Sequence, residues 1–210
     1  MSTVRFCFDF LSPYAYLGWS QVRRLGLPLE PVPILFAAVL DAHGTRGPAE
    51  VPARRRYLIH DVARLAHRLQ VPLVLPPAHP FNPLRALRLA SLPMRPDHRL
   101  ALIDALFRET WATGRGLADL EAIARGFGLS LEQASSAEAK ERVRQQTEAA
   151  LRDGAFGVPT MFVDGQMFFG CDSIPHLAHY LEHGDVVDPG LVEQWDKLPA
   201  SAMRPGAVSR

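Results

Sequence analysis

Cysteine is scarce in this chain. Cys7 and Cys171 are the only two in 210 residues, and they lie far apart. That number and spacing exclude a disulfide framework and a Cys/His metal knuckle. Lysine is nearly missing as well: apart from Lys140 and Lys197 the basic residues are arginines, which reflects either base composition or planar anion recognition. The net charge is only +1, so there is no polycationic footprint for nucleic acid. No run of 18 apolar residues exists, which argues against a membrane partner. The opening "MSTVRFCFDFL" is not patterned as a secretory leader, because its short apolar run carries Asp9. A reduced, cytoplasmic protein is expected. What is present is ordinary globular material, 48% hydrophobic and 21% charged, with neither repeats nor low-complexity tracts.

Val4 to Phe10 is rich in aromatic residues and reads as a buried strand. Ser12 suits a helix N-cap and Pro13 the first helical position, where a missing N–H costs nothing. That helix should run to about Leu25 and stop at Gly26. A second strand is expected over Glu30–Leu35 and a loop over Asp41–Pro52. Leu58, Val62, Leu65 and Leu69 then repeat at helical spacing. Further helices are expected around 83–92, 98–113, 118–127 and 131–153, with capping-box spacing at Ser130/Gln133 and Ser135/Glu138. Thr160–Val163 and Gln166–Phe169 flank an Asp164-Gly165 hairpin turn, and a last helix covers about 173–183. The polar, Pro-containing stretch from Asp185 reads as a loosely packed tail. The order is β-α-β, a helical block, then β-β-α. The simplest reading is one α/β domain with two halves, 1–52 and 154–184, around a helical insert at 53–153, followed by the tail at 185–210.

The junction "FDFLSPYAYLG", Phe8–Gly18, carries the most chemistry. A helix N-terminus has unpaired N–H groups and a partial positive charge, which favours a bound anion or thiolate. Ser12 also has a plainer reading as an N-cap alone. Val158-Pro159 before the hairpin is either a cis-proline or a trans-proline opening an edge strand. Gly170-Cys171-Asp172-Ser173 opens the last helix, where N–H groups suit a carboxylate and Asp172 an ammonium; capping of the helix is the alternative. Cys171 is expected to be packed or near a ligand, not a nucleophile. Arg54-Arg55-Arg56 reads as a solvated charged face or as a carboxylate partner. His176, His179 and His183 have a spacing that resembles a metal site, but no acidic or thiol ligand converges on them, so no metal is expected. The three tryptophans, including Trp195, read as packing residues.

Together, "FDFLSPYAYLG", "GPAEVPARRRYLIHDVARLAHRLQVPL" and "GAFGVPTMFVDGQMFFGCD" resemble the 2-hydroxychromene-2-carboxylate isomerases, which sit beside kappa-class glutathione transferases in the DsbA-like group. The resemblance implies a thioredoxin-like fold with an inserted all-helical domain. It also implies a homodimeric, glutathione-dependent enzyme acting on a small aromatic organic substrate. The position of a redox Cys-x-x-Cys is here Ser12-Pro13-Tyr14-Ala15, which excludes disulfide exchange at this site. By resemblance Ser12 holds the glutathione sulfur, and Val158 beside a cis Pro159 pairs with the tripeptide backbone. Cys171, Asp172 and Ser173 receive its γ-glutamyl end, with Arg54 on a ligand carboxylate. Tyr14, Tyr57 and Asn82 fall where relatives meet the ligands.

The chain departs from the family in places. Ser173 replaces an arginine. Asp41 and Thr45 stand where relatives often carry lysine and asparagine, so Asp41 would repel a substrate carboxylate unless Arg46 or Arg54 compensates. Glutathione-dependent isomerisation is the leading expectation. Glutathione conjugation and a non-catalytic binding module are its rivals.

Overall fold

The computed structural model describes residues 2–199. Its centre is a four-stranded mixed sheet in the order β2-β1-β3-β4. Strand β1 (Val4–Phe8) pairs parallel with β2 (Leu29–Pro33) and antiparallel with β3 (Thr160–Val163); β3 pairs antiparallel with β4 (Gln166–Phe169). The parallel pair needs a crossover, which helix α1 (Pro13–Arg24) supplies. Gly26, at φ +64°, turns the chain out of that helix into β2. This β-α-β and β-β-α arrangement is the one expected of a thioredoxin-like fold.

Between the halves run α2 (Phe36–Ala42), α3 (Pro52–Leu69), α4 (Leu84–Ser91), α5 (Pro96–Phe107), α6 (Leu120–Gly126), α7 (Leu131–Ser135) and α8 (Ala137–Arg152). Helices α9 (Ile174–His183) and α10 (Pro189–Asp196) close the described chain. Several boundaries differ from expectation. The sheet releases the chain after Phe8, not Phe10, because the next residues turn to enter α1. Helix α2 was hidden because its short apolar run FAAVLDA has no polar face or cap to announce it. The segment 131–153 is two helices, broken at Ser136. The Ser130/Gln133 box forms, whereas the cap of α8 is Ser136, bonded to Ala139 N–H, and not Ser135. Helix α5 ends in a π-helical turn over Arg108–Ala112. The tail contains α10, and Trp195 there is 73% exposed, so it does not pack as expected. Residues 200–210 of the tail lie outside the described residues.

One apolar cluster joins the sheet to the helical block. Phe107 of α5 is buried with its ring centroid 5.5 Å from Phe8, 4.8 Å from Phe10 and 6.2 Å from Trp19. The α4 and α5 residues Leu87, Leu102 and Leu106 belong to the same cluster. Truncating Phe107 to Ala should cost about 3–5 kcal/mol, as for a fully buried aromatic side chain. Because the core is shared, urea melts read by far-UV dichroism and by tryptophan fluorescence should show one coincident transition for both halves and the block. A Phe107→Ala change that unfolds the helices alone would contradict a common core.

Candidate functional site

A cavity of about 630 Å³ opens where the two halves of the sheet domain meet α3, within the range of small-molecule sites. Its walls come from the N-terminus of α1, the start of α2, the loop at residues 46–50, α3, the His79-Pro80 turn, and the segments before β3 and after β4. Ser12 and Tyr14 form one side, Val158 and Cys171 another, and Arg54 and Asp61 the rim of α3.

The α1 end of the cavity is built from fixed backbone. Ser12 is the N-cap, with extended φ and ψ of −89° and 117°, and its Oγ accepts from Ala15 N–H at 3.1 Å. The side chain is nearly buried, at 7% exposure. Pro13 has no N–H, and the Tyr14 N–H has no partner among the described residues. That leaves a backbone donor at the positive end of a helix dipole, beside a hydroxyl whose hydrogen is uncommitted. Tyr14 Oη donates to Asp61 at 2.8 Å, and Tyr57 Oη lies 3.4 Å from the same carboxylate. Burial first, and then that bond to Asp61, push the Tyr14 phenol well above its ordinary range, so it stays a protonated donor.

The Val158-Pro159 bond is cis, and Val158 lines the same cavity as Ser12. Val158 is buried, yet neither its N–H nor its C=O bonds to a described residue. Gly157 beside it lets the Phe169 ring sit close, since a Cβ there would come within 2.6 Å of that ring and displace it. That ring packs against Phe156, centroids 4.4 Å apart and planes tilted by 45°, as an apolar wall. Cys171 is buried and held by its carbonyl, which accepts from Gln21 Nε2 at 2.9 Å. Desolvation, reinforced by Asp172, pushes its thiol up to about 12, so it is not a nucleophile at neutral pH.

Of the residues singled out from the sequence, Ser12, Tyr14, Arg54, Tyr57, Val158, Cys171 and Asp172 line the cavity. Five others do not. Asp41 lies in the last turn of α2 and is exposed, and Thr45 N–H bonds back to Leu40 O, folding its loop onto that helix. Asn82 spends its Oδ1 on Leu84 N–H at the start of α4. Ser173 Oγ donates to Gly170 O, and Pro159 packs toward Gly18. His176, His179 and His183 are exposed, and no group of metal-ligating side chains occurs among the described residues.

Two residues were missed. Asp9 is fully buried, and its carboxylate accepts from Leu11 N–H at 2.9 Å and Phe36 N–H at 3.0 Å. An acid inside an apolar strand run was the available signal. His79 lines the cavity from a Pro-rich connector and bonds through Nε2 to Leu11 O at 3.1 Å; nothing in its sequence neighbourhood marks it.

With this geometry in place, comparison with known proteins is specific. A family model described as a DSBA-like thioredoxin domain matches residues 3–182. A 2-hydroxychromene-2-carboxylate isomerase from Sphingobium xenophagum is 30% identical, over 85% of this chain and 97% of the relative. The human glutathione S-transferase kappa 1 is 29% identical over 85% of this chain and 90% of its own. A solved 2-hydroxychromene-2-carboxylate isomerase structure superposes with a TM-score of 0.79 at 28% identity, covering 94% of this chain and all of the other.

The buried Asp9 predicts an unusual pH dependence. Desolvation raises its pKa to about 7, opposed by its two backbone bonds, and no cation offsets it. The folded state therefore holds a proton that the unfolded state has released, and stability falls as pH rises from the unfolded pKa toward 7. Between pH 5 and pH 8 this one group should cost about 2–3 kcal/mol. Urea melts at the two pH values should show that loss in the wild type and a markedly smaller one in Asp9→Asn. Equal slopes would mean Asp9 does not titrate in this range.

Proposed function

The chain belongs to the DsbA-like thioredoxin family, and from that premise we propose that it is a glutathione-dependent isomerase of the 2-hydroxychromene-2-carboxylate type. The observation that carries this reading is the pairing of an N-capping serine with an unpaired Tyr14 N–H on the wall of a cavity that has no reactive cysteine of its own. Bound glutathione would supply the thiolate that adds to, and later leaves, an electron-poor substrate carbon.

The residues present suit that tripeptide. The Ser12 hydroxyl and Tyr14 N–H would face its sulfur, and the free Val158 N–H and C=O would pair with its backbone like an added strand. Asp172 would take the γ-glutamyl ammonium. Arg54, on the cavity rim, would take a carboxylate. Two contributions supply the energetics. An ordinary thiol titrates near ~8.5, and one pKa unit is ~1.4 kcal/mol. A helix terminus contributes roughly 0.3–1 kcal/mol. A hydrogen bond to a charged group contributes about 1.5–3 kcal/mol. Gross, they sum to roughly 2–4 kcal/mol; less the water bonds that the thiolate gives up, they would lower a bound thiol by about one to two units and leave a large share of it ionised at neutral pH.

Conjugation is the second reading, favoured by the likeness to the human kappa transferase. Both readings use the same thiolate. The substrate class proposed is a small aromatic-ring compound with a conjugated acid side chain.

Calorimetry should detect glutathione binding, and its thiolate absorbance should titrate one to two units below the free thiol. Ser12→Ala should raise that pKa by at least one unit and lower turnover roughly 10–100-fold, one pKa unit being a factor of ten. An unchanged thiolate pKa would remove Ser12 from the mechanism. Mass spectrometry separates the two readings: an isobaric product marks isomerisation, and a glutathione adduct marks transfer.

A further inference from the structure

His79 has no part in the thiolate machinery, yet it lines the same cavity. Its imidazole is fixed on three sides. Nε2 lies 3.1 Å from Leu11 O, the Trp111 ring is edge-on at 5.6 Å between centroids, and the Phe81 ring is at 6.4 Å. A carbonyl can only accept, so Nε2 must carry the proton of that bond. In the neutral ring, Nδ1 is then a bare lone pair, and no described residue bonds to it. The histidine is therefore held in one tautomer, with its basic nitrogen uncommitted, and the carbonyl that holds it belongs to Leu11, the residue before the thiolate-holding cap.

We propose that His79 is the acid–base residue of this cavity, accepting a proton at Nδ1 from a hydroxyl of the substrate and returning it within the same turnover. This rests on the isomerase reading above. A 2-hydroxychromene is a cyclic hemiketal, and its hydroxyl shares a carbon with the ring oxygen. When Nδ1 takes the hydroxyl proton, the O–H pair becomes the second bond of a C=O. The ring C–O bond breaks, and its pair goes to the ring oxygen as a phenolate. The imidazolium then protonates that phenolate. One C–O bond is lost and one C=O π bond is gained. The proton moves from hydroxyl to phenol, and His79 ends neutral, so no oxidant or further reactant is needed.

The surroundings suit a base that is neutral when substrate arrives. Burial holds the His79 pKa below its ordinary value, and the Arg55 guanidinium of α3 acts in the same direction, against the bond to Leu11. The π-helical turn presents only the Trp111 ring, and the α1 entry presents Leu11. Asp9 stands on the other side of the Leu11 peptide. The cavity's remaining charged lining residues are Arg46, Glu50, Arg54, Asp61 and Asp172.

The test compares wild type with His79→Gln and His79→Ala, using glutathione and 2-hydroxychromene-2-carboxylate as probes. A glutamine amide can still donate to Leu11 O but offers no base. In His79→Gln, kcat/KM should fall by ~10²-fold or more, the size of a general acid–base contribution. Glutathione affinity should stay within about twofold, and the acid limb of the wild-type pH profile, below ~6.5, should disappear. Nitrogen-15 spectra of the free protein should show an unprotonated Nδ1 and a protonated Nε2 in His79. Full activity in His79→Gln with loss only in His79→Ala would overturn the acid–base role and leave His79 as a positioning residue. A protonated Nδ1 would overturn it independently of any activity. A wild type that binds no glutathione would instead overturn the isomerase reading on which the role rests.

Discussion

Three residues between β1 and α1 are held at four backbone points. Phe10 C=O accepts from Trp111 Nε1 at 2.9 Å, and Leu11 N–H donates to the buried Asp9 carboxylate. Leu11 C=O accepts from His79, and Ser12 N–H donates to Asp9 O at 3.1 Å. An apolar strand that turns directly into a helix leaves backbone polar groups in a dry interior, and each would cost free energy if unpaired. The helical block through Trp111, the His79-Pro80 turn through His79, and Asp9 just beyond β1 each contribute one partner or more. The cap residue is thus set by distant parts of the chain, which explains why it can face a cavity without a glycine-rich loop to shape it.

Asp9 is the costliest piece of that arrangement. A buried carboxylate with no cation is unfavourable when charged, and its raised pKa expresses that. Its second oxygen binds Phe36 N–H, the first residue of α2, whose side lines the cavity. One carboxylate therefore ties two walls of the cavity together. Hydrophobic residues of the same volume would pack more cheaply there, but they would leave the Leu11 and Phe36 N–H groups unsatisfied.

The strand-helix-strand opening, the late hairpin and the last helix were legible because apolar periodicity and turn residues announce them locally. Helix α2 and the break at Ser136 were not. The first lacks a polar face, and the second depends on which of two adjacent serines the packed chain uses as cap. The cavity was half legible. Ser12, Tyr14 and Val158 sit beside cap and turn chemistry that sequence records, and Asp172 sits beside the glycine that ends β4. Asp61 and His79 act through bonds to residues 47 and 68 positions away, and no local pattern encodes such a pairing.

The same geometry bears on the altered loop. A carboxylate at position 41 looked hostile to an acidic substrate, since relatives often have lysine there. Asp41, in the last turn of α2, is not part of the cavity wall, while Arg46 and Arg54 line it. Glu50, the acid between them, already accepts from Gly47 N–H at 3.1 Å and so shapes the loop that carries Arg46. Thr45 bonds back to Leu40 and makes the bend that separates Asp41 from Arg46. Two arginines, Arg46 and Arg54, thus line the cavity, and on the proposed reading they would take the place of the family lysine toward a substrate carboxylate. Their planar, bidentate geometry favours a carboxylate over a neutral ligand.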